Sequence, residues 1–145
     1  MQIDRLASDQ DLYLREMRRM LHTHPELSWS EIETTAAIAK ELAEAGWSVH
    51  RFPEHTGLTA TLMGKGKTKT KLKTLVLRAD IDALPVIEKT ELPFESRNLG
   101  IMHACGHDAH TAMLLGAARI LKQVQDQWAG ELRLLFQPAE EINEG

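Results

Sequence analysis

Cysteine is nearly missing from this chain: Cys105 is the only thiol in 145 residues. One thiol cannot close an internal disulfide, which fits a reducing compartment. No apolar run approaches the roughly 20 residues that a membrane-spanning helix needs. The opening stretch, MQIDRLASDQDLYLREMRRM, is polar and lacks the apolar core of a secretion signal. Excess positive charge is missing too: 17 Lys and Arg against 21 Asp and Glu leave a net charge of −4. Nothing therefore draws the chain globally to nucleic acid or to an anionic membrane. Internal repeats and low-complexity segments are also absent. What remains, 43% hydrophobic and 26% charged residues, is an ordinary globular mixture, long enough for one domain with a real core. The expectation is a cytoplasmic protein.

Periodicity predicts the elements. From Asp9 to Leu21, the residues Leu12, Met17, Met20 and Leu21 recur near helical spacing, and Pro25 disfavours helix at His24. Ser30 with Glu33 reads as a capping box opening a helix to about Ala45, with Gly46 as its C-cap. WSVHRF and LTATLMG alternate as strands do, GKGKTKTKLK reads as a solvated hairpin turn, and TLVLRAD reads as a buried strand ending in carboxylates. A loop with Pro85 and Pro93 leads to a helix from His107, with Met113, Leu114, Ala117, Ala118 and Leu121 as its apolar face. ELRLLFQ is a last strand, ended by Pro138. Helices interleaved with strands predict an α/β fold, a layered mixed sheet flanked by helices.

Chemistry concentrates in four places. In MHACGHDAH, Cys105 is either a small buried apolar residue or a ligand. His107 lies two residues on, so in extended backbone a thiolate and an imidazole face one side and suit zinc or a similar ion. In PAEE, Glu140 and Glu141 follow an apolar strand and point in different directions. One carboxylate is free to bind a metal while the other takes a proton from water. In RADIDALP, Asp80 and Asp82 either cap a turn and pair with Arg78 or orient a metal-binding histidine. In LHTHPELS, His22 and His24 stand at a helix exit with no matching partner nearby in sequence, which favours a structural role.

With those residues in view, the chain resembles the M20 family of metallopeptidases and amidohydrolases. The M20D branch, with its N-acyl-L-amino acid amidohydrolases, hippurate hydrolases, auxin-conjugate hydrolases and N-acetyldiaminopimelate deacetylases, is the nearest. LHTHPELSWSE, LRADIDALP, MHACGHDAH and LLFQPAEE carry the resemblance, in the family's order. It implies a partial M20-type catalytic domain in which Cys105, as thiolate, His107 and Glu141 are metal ligands. Glu140 would be the general base and then the general acid, with Asp80 and Asp82 behind the ligands. The implied cofactor is a pair of divalent ions drawn from zinc, manganese, nickel or cobalt. The implied substrate is an N-acyl amino acid or short peptide. Family members are more than twice as long. They add two ligand histidines beyond PAEE and an inserted dimerising domain, so full-length relatives are expected to be homodimers. Residues 1–145 are thus expected to be the amino-terminal part of the catalytic domain, without the dimerisation domain and poorly active alone. EINEG departs from relatives that carry glycines after the glutamates.

Two rival readings follow from the same residues. A cysteine hydrolase would use Cys105 as nucleophile and a histidine as base, leaving Glu140 and Glu141 idle. A non-catalytic fragment would act only with segments supplied elsewhere and would expose an apolar patch.

Overall fold

The computed structural model describes residues 2–145. Among the described residues, helices α1 (Gln2–Ser8), α2 (Asp11–Thr23), α3 (Ile32–Glu44) and α4 (His107–Gln123) combine with strands β1 (Ser48–Arg51), β2 (Leu58–Met63), β3 (Thr74–Asp80) and β4 (Glu131–Gln137). The strands form one sheet in the order β1-β2-β4-β3. The β1–β2 and β2–β4 pairs are antiparallel and β3–β4 is parallel. This is the mixed α/β sheet expected from the sequence. No described helix is long and apolar enough to cross a membrane.

The core lies on one face of the sheet. Alternation sends Leu58, Ala60 and Leu62 of β2 and Leu132, Leu134 and Phe136 of β4 to the same side. Met17 and Leu21 of α2, Ile38 and Leu42 of α3, and Ala112, Leu115 and Ala118 of α4 close over them. Helices α2 and α4 pack so tightly that a Cβ on Gly116 would lie 2.6 Å from Leu14 Cδ2. The β3–α4–β4 unit aims the end of β3, the start of α4 and the end of β4 at one corner.

Several local expectations change. The helix expected over Asp9–Leu21 is α2, preceded by the short α1, and its buried face is Met17, Leu21 and His22, while Leu12 is exposed. Ser30 does not cap α3. The carboxylate of Glu26 does so from outside the helix, accepting the amides of Glu33 (3.1 Å) and Thr34 (2.8 Å). Gly46 does follow α3 in the left-handed region, at φ +79°. On α4, Met113 faces solvent and Ala112 and Leu115 take the core positions.

The largest change concerns β3. Expected to be buried, it is an edge strand, with Leu75 and Val76 56% and 52% exposed. The residues between β2 and β3 are correspondingly not a hairpin. β4 inserts between the two strands, and Gly64 and Gly66 pack instead against Trp128 and Gly130 through Gly64 N–H to Gly130 O and Gly66 N–H to Trp128 O.

Candidate metal centre

Asp82 is the hub of the corner. It stands two residues past β3, and the sheet register makes it fully buried. Its backbone carbonyl accepts His107 Nδ1 at 3.0 Å, and its Oδ2 accepts Ser28 Oγ at 2.8 Å and the Glu141 amide at 3.0 Å. One aspartate thus ties the Ser28 loop, the first residue of α4 and the turn after β4 together. Each bond satisfies a polar group that burial would otherwise penalise.

Two backbone turns complete the geometry. Gly106, at φ +84°, lets the chain swing from the Cys105 loop into α4 through a left-handed conformation that other residues adopt only under strain. After Pro138, Ala139 sits at φ +53° and leads into a 3-10 turn, Glu140–Ile142. The Ala139 amide is held by Glu31 Oε1 at 2.9 Å, and Glu31 is itself fully buried against the Thr56 hydroxyl. Backbone strain at a non-glycine residue persists because this buried carboxylate fixes it.

His107, Glu140 and Glu141 consequently converge. Glu140 Oε2 lies 3.8 Å from His107 Nε2 and Glu141 Oε1 lies 3.9 Å from His107 Nδ1. One ligand atom from each of the three residues lies within 4.8 Å of the others. Because Nδ1 faces the Asp82 carbonyl, it carries the ring proton and Nε2 keeps the free lone pair. Cys105 is exposed beside this group, and Glu141 raises its thiol pKa by hydrogen bonding, with burial and the nearby carboxylates adding to the shift. Its sulfur is not part of the converging set.

A divalent cation fits this donor set. Asp82 Oδ1 and Glu141 Oε1 are buried without a hydrogen-bond partner. Among the described residues, no lysine or arginine pairs with Asp82, Glu140 or Glu141; their nearest basic partner is His107. Clustered carboxylates beside an imidazole and a thiol, with no lysine or arginine paired to them, are what a metal ion satisfies.

The other sequence candidates separate cleanly. Asp80 pairs with Arg78, at 2.8 Å to Nε and 2.6 Å to Nη2. His22 is buried between Asp108 Oδ2 (2.8 Å) and Glu88 Oε1 (3.1 Å), bracing α2 against α4. His24 Nδ1 bonds the Met20 carbonyl at 3.0 Å. Both roles are structural, as expected. His103 is buried with neither ring nitrogen hydrogen-bonded, and burial pushes its pKa down to about 4. Sequence reasoning missed Glu31, Ser28 and Glu88. The first two lie in LSWSE, but nothing local marks them, since their partners are distant in sequence.

Comparison with known proteins finds related chains and a related fold. Residues 76–145 match the model of peptidase family M20/M25/M40. An N-acetyl-L-cysteine deacetylase of Bacillus subtilis (strain 168) is 54% identical over 129 residues, which is 89% of this chain and 30% of that protein. An N-acyl-L-amino acid amidohydrolase of Geobacillus stearothermophilus is 42% identical over 99% of this chain and 38% of its own length. The crystal structure of a dinuclear metal-binding M20 peptidase from Bacillus subtilis superposes with a TM-score of 0.85 at 46% identity, over 92% of this chain and 36% of that one. The chain spans about a third of the length of the curated relatives it matches.

Proposed function

Since the chain belongs to peptidase family M20/M25/M40 through residues 76–145, we propose that residues 1–145 are the amino-terminal part of a metal-dependent amidohydrolase catalytic domain. Its substrate is an N-acyl amino acid or short peptide. The observation that carries this reading is the convergence of His107, Glu140 and Glu141 around buried, unpartnered carboxylate oxygens. Cys105, His107 and Glu141 are the residues that would hold divalent metal, zinc, manganese, nickel or cobalt, as one or two ions. Cys105 is exposed on the loop that leads into His107.

A divalent ion held there supplies Lewis acidity for an amide carbonyl and for water. Everything else is done by the chain. Glu140, the more exposed of the two glutamates at 38% of its side chain, faces the open side and takes a proton from the attacking water. It then hands that proton to the amide nitrogen as the C–N bond breaks, leaving a carboxylic acid and a free amine. Glu141 is pinned through its amide to Asp82 and serves as ligand. Asp82 holds His107 in the tautomer whose Nε2 is free.

The cysteine-nucleophile alternative leaves Glu140 and Glu141, which converge with His107, without a role. The test is metal content by elemental mass spectrometry on chain purified without chelators. About one or two ions per chain are expected, bound more weakly after Cys105→Ala or Glu141→Gln. A folded chain that takes up no ion from micromolar zinc or manganese refutes the assignment. Turnover of N-acetyl and N-benzoyl amino acids is expected to be low without further ligand-bearing segments.

A further inference from the structure

His107 belongs to a second group that the proposed hydrolase site does not use. Asp80, His107 and His110 also offer one ligand atom each, all within 4.8 Å of one another. The arrangement has a structural cause. His107 and His110 are three residues apart on α4, so their rings share one helix face, with centroids 5.6 Å apart. The end of β3 is tied to that face by the Thr111 hydroxyl, which donates to the Asp80 carbonyl at 3.2 Å.

The donor atoms are available. His110 is exposed, and neither of its ring nitrogens is hydrogen-bonded among the described residues. Asp80 gives Oδ1 to Arg78, which leaves Oδ2. Two of the three groups, Asp80 and His110, line an open groove of about 500 Å³ together with Leu77, Arg78, Met113 and Ala117, while His107 is buried beside His110. This groove runs along the uncovered side of β3 and α4.

We propose that Asp80, His107 and His110 form a second binding site for a divalent transition-metal cation, alternative to the one on the Cys105 and Glu141 side. Two imidazoles and one carboxylate suit zinc, cobalt or nickel better than calcium or magnesium. The two sites exclude each other. His107 Nδ1 is committed to the Asp82 carbonyl, so Nε2 is the only ring donor and serves one ion at a time. The Arg78 guanidinium opposes the second site, since it neutralises Asp80 and repels a cation. This inference shares His107 with the proposed hydrolase centre but rests on none of that centre's other residues.

Cobalt(II) separates the two sites spectroscopically, because a thiolate ligand adds a near-ultraviolet charge-transfer band that imidazole and carboxylate do not. The chain carrying Cys105→Ser and Glu141→Gln is titrated with cobalt(II) alone. Expected is binding of about one ion with visible ligand-field bands and no thiolate band. Adding His110→Ala should weaken that binding about tenfold or more, and adding Arg78→Gln should strengthen it. No binding by the double variant, or binding indifferent to His110→Ala, overturns the proposal. Should the double variant not fold, wild-type chain alkylated at the exposed Cys105 gives the same comparison, with Asp80→Asn as the second ligand variant. A missing thiolate band in the unmodified wild-type chain sinks the Cys105 centre instead, whatever His110 does.

Discussion

Glu31→Ala removes a fully buried carboxylate that receives two donors, the Thr56 hydroxyl and the Ala139 amide. The Ala139 amide stays buried in the variant with no other partner among the described residues, whereas the half-buried Thr56 hydroxyl can turn to water. A buried donor left unsatisfied costs about 1–3 kcal/mol, so the Ala139 amide alone costs about that much before any cavity is counted. A domain of this size has about 5–15 kcal/mol in all, so the loss is large. Glu31→Gln is the informative control. Its carbonyl can accept the Ala139 amide and its NH2 can donate to Thr56 Oγ1, provided that hydroxyl turns round. Only the charge assistance is lost, about 1 kcal/mol. Urea denaturation followed by far-ultraviolet circular dichroism measures both. The functional readout should follow the same order. Ala139 leads directly into Glu140 and Glu141, so metal affinity should fall more in the alanine variant than in the glutamine one. The reasoning is refuted if Glu31→Ala lies within about 1 kcal/mol of wild type, or if alanine and glutamine are equally damaging.

Two more predictions rest on the same corner and its neighbour. Gly57→Ala should destabilise by at least about 1–2 kcal/mol, because a Cβ there lies 2.6 Å from Pro138 Cδ and 2.7 Å from the Phe136 carbonyl at a φ of +77°. Denaturant midpoints check it, and an unchanged midpoint would show that the Pro138 turn yields freely. Burial alone would raise the Glu88 carboxyl, but the Thr90 hydroxyl, the Ser96 amide and His22 together hold it below its ordinary value of 4.5. The unfolded chain therefore takes up that proton first as pH falls. The stability from these bonds is complete above about pH 4.5 and drains as pH drops through the lower folded value. Against Glu88→Gln, the wild-type advantage should hold steady near neutrality and shrink in acid. An advantage that grows in acid would contradict the assignment.

Much of the architecture was legible in local pattern. β2 and β4 announce themselves by alternation, with Leu58, Ala60 and Leu62 facing the same side as Leu132, Leu134 and Phe136. α4 starts at His107 because Gly106 breaks the preceding path. The MHACGHDAH and PAEE stretches pointed to His107, Glu140 and Glu141, which the fold then brought together. Cys105 was equally conspicuous, yet it stands beside that group rather than in it.

Strand order was not legible, since apolar alternation specifies which face a residue takes but not which strand lies next to it. TLVLRAD is apolar enough for a sheet centre, and only the insertion of β4 between β2 and β3 puts it at the edge. Caps and braces escaped for a related reason. Glu31 and Ala139 are 108 residues apart, and His22 and Asp108 are 86 apart. Such pairs leave no periodic trace. By itself the sequence determined the residue types, their element assignments and the chemistry they are able to perform. Which carboxylate meets which imidazole, and which of them is buried without a partner, was decided by the tertiary structure, because only packing against distant segments sets distance and removes water.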